Sequence, residues 1–245
     1  MYQFFVEDEQ IANDLVMIEG SDVNHIRNVL RMKGGEKVRV SSTSGRNFFG
    51  TIDRITESVV EVHITEETAS DTELPCRIVL FQGLPKNDKM ELIIQKAVEL
   101  GAFQIIPVAM KRCVVKLDEK KADSKIKRWQ GIAEAAAKQS KRGVIPTVVP
   151  VMSYVQAVKT ASEMDLKLVP YELAEGMPQT KQLIESARPG QQIAIFIGPE
   201  GGFDPEEIRL ATEAGIQPIT LGKRILRTET AGFTTIAWLM YQLEN

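Results

Sequence analysis

Hydrophobic and polar positions change rhythm partway along the chain. From Lys37 to Ile64, short apolar runs (KVRVS, FFGTIDRI, VVEVHI) are separated by the turn-forming stretches STSGRN and TES. That spacing, with its β-branched and aromatic content, predicts a small antiparallel meander or barrel. Ahead of it, SDVNHIRNVLRMKGGE predicts one short helix capped by Ser21 or Asp22, with Val23, Ile26, Val29 and Leu30 on a shared face and Gly34-Gly35 as its stop. The stretch Glu66 to Pro75, EETASDTELP, is polar and ends in proline, which predicts a linker between domains spanning 1–72 and 76–245.

Beyond Pro75, strands alternate with helices. RIVLFQGL reads as a strand, and NDKMELIIQKAVELG as a helix capped by Asn87 or Asp88, with Met90, Ile93, Ile94, Ala97 and Val98 facing inward and Gly101 ending it. FQIIPVAM is the next strand. DSKIKRWQGIAEAAAKQSKRG is a longer helix with Ile126, Trp129, Ile132, Ala133 and Ala136 on one side. TVVPV, helical SYVQAVKTASEM, LKLVPY, a helix near Gln179 to Ala187, QIAIFIG, the helix PEEIRLATEAG, QPITLG and a last helix from about Thr228 to Leu243 complete the series. Strands such as IAIFI are apolar throughout, so both faces are covered, and the fold class is α/β with a mostly parallel sheet.

Composition narrows the function classes. The chain has 245 residues, 43% of them hydrophobic, and no apolar run approaches the ~18 residues of a membrane span. MYQFFVEDEQ lacks the basic region and apolar stretch of a secretory signal, so the expected location is the cytoplasm, with no membrane partner. Cys76 and Cys113 form no CxxC pair and are accompanied by only two histidines, His25 and His63, which argues against a disulfide framework and against a metal site. The net charge of −3 averages unlike segments: −7 over residues 1–76, +8 over 77–142 and −4 over 143–245. A basic middle segment fits a nucleic-acid footprint confined to one face; solvated helix faces give the same count.

IGPEGGFDPEE, from Ile197 to Glu207, has the strand–glycine turn–helix layout that often cradles phosphate, yet it carries four acidic side chains. Neither GxxxxGK[ST] nor GxGxxG matches it. A helix N-terminus favours an anion by roughly 0.3 to 1 kcal/mol, whereas one carboxylate ~4 Å from a phosphate costs about 4 kcal/mol near a protein surface. Asp204 as cap, Pro205 in the first helical position and Glu206-Glu207 behind it already serve the helix end. Gly198, Gly201 and Gly202 are consistent either with a tight turn that binds nothing or with close approach to a flat ligand. A phosphate-free cation such as S-adenosylmethionine, a sulfonium, suits that turn better than a nucleotide.

One strand later, LGKRILRTETAG, from Leu221 to Gly232, is a second glycine-bearing loop, and ligands of open α/β sheets bind at the carboxyl ends of strands. Together IGPEGGF and LGKRILRTETA closely resemble the two signature loops of SPOUT-class RNA methyltransferases, specifically the small-subunit (16S) ribosomal RNA uridine-N3 methyltransferases of RsmE type. HIRNVLRMKGGE, GLPKNDKMELIIQKAVELG, IIPVAMKR and AEAAAKQSKR extend the resemblance over nearly the whole chain. It implies a small N-terminal PUA-like β-barrel that binds RNA, a C-terminal SPOUT-like α/β domain with a trefoil knot that holds the methyl donor, and a homodimer. The chain departs from the family at Gln3, where an arginine is expected, and in KQSKR, which brings Lys138 and Lys141.

The resemblance implies an S-adenosylmethionine-dependent enzyme that methylates N3 of a uridine in 16S ribosomal RNA, free or within the small subunit; the alternative is a non-catalytic RNA-binding or assembly factor of the same fold. Expected donor contacts are Gly198, Glu200, Gly201 and Gly202 from the first loop and Leu221, Gly222, Ile225, Leu226 and Arg227 from the second. Glu200 either meets the donor's positive charge or is solvated. Arg227 is expected either to steady charge on the base or only to hold the loop or a partner subunit, and a general base, if used, is Glu200, Glu229 or a group from the N-terminal domain. Expected RNA contacts are Lys86, Lys111, Arg112, Lys125, Arg128, Lys138, Lys141 and Arg142, with His25 and Arg31 from the N-terminal domain. Lys89 and Lys96 are expected on an exposed helix face.

Overall fold

The alternation read from Lys37 onward belongs to a larger curled sheet. The computed structural model describes residues 1–69, 72–174 and 176–244, and the chain divides into two units, Met1–Glu73 with Ala137–Ile145 and Leu74–Ala136 with Pro146–Asn245. In the first, β1 (Tyr2–Val6), β2 (Ile11–Ala12), β3 (Leu15–Glu19), β4 (Lys37–Ser42), β5 (Asn47–Ile55) and β6 (Val59–Thr68) form one sheet in the order β1-β4-β5-β6-β3-β2. β3 to β6 pair antiparallel, as the meander predicts, while β1 lies parallel to β4. Phe4, Val6, Val16, Ile18, Val38, Val40, Ile52, Val60 and Val62 fill its inner face. Register shifts in the β5–β6 ladder mark bulges, which bend the strands. Of the stretch expected as a linker, Glu66–Thr68 ends β6, and 70 and 71 lie outside the described residues.

The predicted short helix forms but differs in two respects. α1 (Ser21–Asn24) starts from Gly20, at φ 71°, which has no side chain to cap it, and the Asp22 carboxylate, inside the first turn, accepts from Lys138 Nζ at 3.0 Å. The helix then widens into a π turn over His25–Val29, closed by the Leu30 amide on the His25 carbonyl at 2.8 Å. The extra residue rotates the helical phase. Val23 and Ile26 remain buried, and Val29, expected inside, is 61% exposed.

Residues 137–145 group with the N-terminal strands through buried polar bonds. Gln3 is 5% exposed and donates to Ser41 Oγ at 3.0 Å and to the Arg142 carbonyl at 2.6 Å. Glu73 receives Arg142 Nε at 3.1 Å and the Gly143 amide at 2.9 Å. Gln3 is therefore a structural residue, and Arg142, expected at RNA, is 3% exposed and committed to Glu73.

The second unit follows the predicted alternation: β7 (Arg77–Gly83), α2 (Lys89–Glu99), β8 (Gln104–Ala109), α3 (Glu119–Ser140, counted here to Ala136), β9 (Thr147–Val148), β10 (Met152–Ser153), α4 (Tyr154–Ala161), β11 (Leu166–Pro170), α5 (Met177–Glu185), β12 (Gln192–Ile197), α6 (Pro205–Glu213), β13 (Gln217–Ile219) and α7 (Thr228–Leu243). Its sheet runs β10-β8-β7-β12-β11-β13, with β9 also on β8 and every ladder parallel. The α2 residues expected inside, Met90, Ile93, Ile94, Ala97 and Val98, are all buried. α3 begins at Glu119, earlier than the apolar pattern indicated, because Asp118 accepts the Lys121 amide at 2.9 Å and starts the helix. Cys76 and Cys113 are free and buried, and burial pushes the Cys76 thiol up to about 11.

Two positions test this architecture. A Cβ on Gly83 would lie 2.8 Å from Pro199 and 2.9 Å from Met110 Sδ, so Gly83→Ala is expected to cost about 1–3 kcal/mol in urea denaturation. Arg142→Ala leaves Glu73 without its guanidinium in a largely buried setting and is expected to cost about 3 kcal/mol by the same measurement.

Candidate functional site

Three loops leave the carboxyl ends of β7, β12 and β13. After β12, the Gly202 amide closes a turn on the Pro199 carbonyl at 2.9 Å, with Gly202 at φ 67°. Gly198 and Gly201 are crowded: an added Cβ would meet the Phe203 ring at 3.1 Å in one case and the Arg112 Cβ at 3.1 Å in the other. Gly202 has open space where a side chain would be. α6 then starts as its sequence predicts, with Pro205 in its first turn and a capping box in which Asp204 accepts the Glu206 amide at 3.2 Å and Glu207 accepts the Asp204 amide at 2.9 Å.

The second loop, residues 220–227, turns at Gly222, φ 101°, and leads into α7. Thr228 joins it to the first. Its hydroxyl donates to the Gly198 carbonyl at 2.6 Å and accepts from Gln82 Nε2 at 2.9 Å. Gln82 and Thr228 are buried and were not singled out in the sequence. The sequence signal for Gln82 is a polar residue directly after the apolar run Ile78–Phe81.

Between the loops after β12 and β13, and bounded also by Pro170–Glu172 at the end of β11, lies a cleft of about 250 Å³. Gly198, Glu200, Gly201, Gly202, Leu221, Gly222, Ile225 and Leu226, all expected at the donor, line it, together with Tyr171, Lys223 and Arg224. Its glycine surfaces and aliphatic walls suit a flat adenosine-like group, although its volume falls just below the roughly 300 Å³ usual for small-molecule sites. Ile225 is 85% exposed, so one wall of the cleft is uncovered. Arg227 is not among the lining residues. It stands exposed at the N-cap of α7, and its side chain makes no hydrogen bond or ion pair among the described residues.

The acids of the first loop have internal partners. Glu200 accepts the Lys86 amide at 3.1 and 3.2 Å and lies 3.2 Å from Lys89 Nζ, so its charge already has a cation beside it. Lys89, expected on an open helix face, also lies 3.4 Å from Glu229 Oε2. Burial raises the Glu200 pKa, but the backbone amides of Glu200 and Lys86 and the Lys89 ammonium outweigh it and hold the carboxyl below its ordinary value. The hydrogen bond from Lys111 is the main reason that Asp204 is held low as well, and Lys111 Nζ is 3.0 Å from its carboxylate. With these charges compensated, the argument against phosphate rests on α6 having occupied amides more than on repulsion.

The candidate RNA residues are similarly divided. In the first unit, His25, Arg31 and Lys141 are exposed, the last two at φ 53° and 60°, while Lys138 is paired with Asp22. In the second, Lys86 is exposed, Arg112 donates to the Gly201 carbonyl at 3.1 Å, Arg128 reaches Glu91 at 2.6 Å, and Lys125 sits over the Trp129 ring. Much of the +8 segment is thus balanced internally. Among the described residues there is no group of three His, Cys, Asp or Glu placed to hold a metal, and no helix is long and apolar enough to cross a membrane.

Comparison with known proteins gives consistent results over the full chain. A family model described as an RNA methyltransferase domain matches residues 72–240, and one described as an RNA methyltransferase PUA domain matches 18–65. The chain is 37% identical to ribosomal RNA small subunit methyltransferase E of Bacillus subtilis, over 100% of this chain and 98% of that one. It is 35% identical to the protein of the same name from Mesomycoplasma hyopneumoniae, over 94% and 95%. A solved ribosomal RNA small subunit methyltransferase E from Neisseria gonorrhoeae, bound to S-adenosyl methionine, superposes with a TM-score of 0.85 at 32% identity, covering 98% of this chain and 97% of that one.

The carboxylates make the first loop acid-sensitive. Because Glu200 and Asp204 are held below 4.5 and 3.8, their contribution to the native state is complete above those values and is lost as pH falls through the lowered ones. Thermal melting is expected to show a fall below about pH 4 that is shallower in Asp204→Asn; an identical acid limb in the variant would exclude this source.

Proposed function

The chain belongs to the RNA methyltransferase family represented by the ribosomal RNA small subunit methyltransferase E proteins, and on that premise we propose that it methylates N3 of a uridine in 16S ribosomal RNA, using S-adenosylmethionine. One observation carries this reading: two glycine loops at the carboxyl ends of a parallel sheet flank an open cleft with glycine and aliphatic surfaces beside an uncommitted arginine. The donor supplies an electrophilic methyl group on a sulfonium. The backbone at Gly198, Gly201, Gly202 and Gly222 would hold it, and Leu221, Ile225 and Leu226 would cover its adenine.

The chain's part in the chemistry is orientation and charge. N3 of uridine becomes a nucleophile as its imide proton passes to solvent water, negative charge spreads to the adjacent carbonyl oxygens, and the donor, having given up its methyl group, would leave as the neutral thioether S-adenosylhomocysteine. Arg227, permanently charged and without an internal partner, would face that charge. Glu200 and Glu229 both lie against Lys89, which argues against either as a free base. Lys86, Lys125, Lys141, His25 and Arg31 remain candidates for RNA phosphate, Lys111, Arg112, Arg128 and Lys138 are weaker ones because of Asp204, the Gly201 carbonyl, Glu91 and Asp22, and Arg142 is withdrawn. The reading extends to residues 1–72 as the RNA-binding domain, a cytoplasmic setting, the trefoil knot and a homodimer. The dimer has support in α7, an apolar helix whose Phe233 and Trp238 are only half-buried and whose Tyr241 is 73% exposed.

Mass-spectrometric mapping of ribosomal RNA from a deletion strain is expected to show one uridine lacking its N3 methyl group; full methylation there would refute the reading. Calorimetry with S-adenosylhomocysteine is expected to give saturable binding, and its absence would favour a non-catalytic RNA-binding factor. Arg227→Ala is expected to lower turnover about 100-fold while leaving the thermal melt unchanged, and unaltered turnover would remove Arg227 from the mechanism.

A further inference from the structure

The two loops of the cleft leave the sheet from different strands, and one side chain outside the cleft reaches both. Lys89, the first residue of α2, lies 3.2 Å from Glu200 in the first loop and 3.4 Å from Glu229 in the opening turn of α7, directly after the second loop. The side chains of Lys89, Glu200 and Glu229 are 30%, 25% and 13% exposed, whereas those of the surface pair Arg209–Glu213 are 61% and 57% exposed. Water therefore screens the Lys89 contacts less than an ordinary surface pair. The bend before α2 adds the Lys86 amide to the same Glu200 carboxylate. Glu229 Oε2 is buried without a hydrogen bond, so the Lys89 charge is its compensation. Removing that cation would leave two carboxylates, one nearly buried, without the charge they share.

We propose that Lys89 is a positioning residue for the methyl-donor site, clasping Glu200 of the first loop and Glu229 of the helix turn that directly follows the second, so that the loops stand at the separation the donor requires. This rests on the cleft being the donor site. Lys89 does not line the cleft and acts through Glu200, which does, and through the start of α7. The clasp also accounts for acidic residues in both loops of a cleft whose ligand is held by backbone and aliphatic groups.

The test is calorimetry of the full-length protein with S-adenosylhomocysteine, with a thermal melt for each variant. Lys89→Met is expected to weaken binding about tenfold, and Lys89→Arg, which keeps the charge and reach, to stay within about threefold of the parent. Glu229→Gln cuts one arm and is expected to weaken binding several-fold while remaining folded. The double variant Lys89→Met/Glu229→Gln is expected to bind no more weakly than Lys89→Met alone, because the link can be broken only once. Parent-like affinity in folded Lys89→Met, or losses that multiply in the double variant, would overturn the proposal. Should Lys89→Met fail to fold, parent-like affinity in Glu229→Gln would overturn it equally. If the parent protein itself binds no S-adenosylhomocysteine, the donor-site reading falls and the clasp with it; if the parent binds and the variants match it, the clasp alone falls.

Discussion

The pairing of β12 with β7 is the constraint on which the site depends. Gln192–Ile197 run parallel to Arg77–Gln82 in unbroken register, and the partners Phe81 and Phe196 stack at 4.4 Å with their rings within 1° of parallel. Because the register is continuous, both strands end at the same level. That places Gln82 and Gly83 beside Gly198 and Pro199, close enough for a Cβ on Gly83 to collide with Pro199. The bond from Thr228 to the Gly198 carbonyl then draws the start of α7, and with it the second loop, to the same edge. A shift of one residue in this ladder would turn every side chain of the strand to the opposite face and separate the groups that form the cleft.

Charge acts as a fastener around this frame. Lys89, Lys111 and Arg112 hold the acidic first loop from outside the cleft, and Glu207 returns a carboxylate to the Lys111 amide at 2.8 Å. A loop held by groups at its back keeps its inner surface free for a ligand. That is a form of preorganisation, since the loop has less freedom left to lose on binding. In the N-terminal unit the same principle appears in Arg142, whose charge is spent on Glu73 and not on a partner molecule.

The chain's pattern made much of this legible. The apolar runs of β7, β8, β11 and β12 are buried on both faces in the structure, and the inward face of α2 is the one its periodicity indicates. The cap at Asp204 followed from residue type and spacing, because capping is local chemistry. Eight of the nine expected donor residues line one cleft, and the ninth, Arg227, stands outside its lining. Val29 was misplaced because one extra residue in a π turn changes the phase and leaves no mark in hydrophobic periodicity. Lys89 and Arg142 differ from expectation for another reason: whether a cation is free depends on acids distant in sequence, Glu200 and Glu229 for one and Glu73 for the other.

By itself, the sequence determined what local rules control: strand and helix rhythm, the cap of α6, the glycines that let the backbone turn, and two loops whose residues resemble a known RNA methyltransferase family. Only the tertiary structure decided which charges are available and which are consumed. Ion pairs and buried hydrogen bonds join residues more than a hundred positions apart, such as Gln82 with Thr228 and Lys89 with Glu200, and their formation depends on strand order and register, which no stretch of sequence contains.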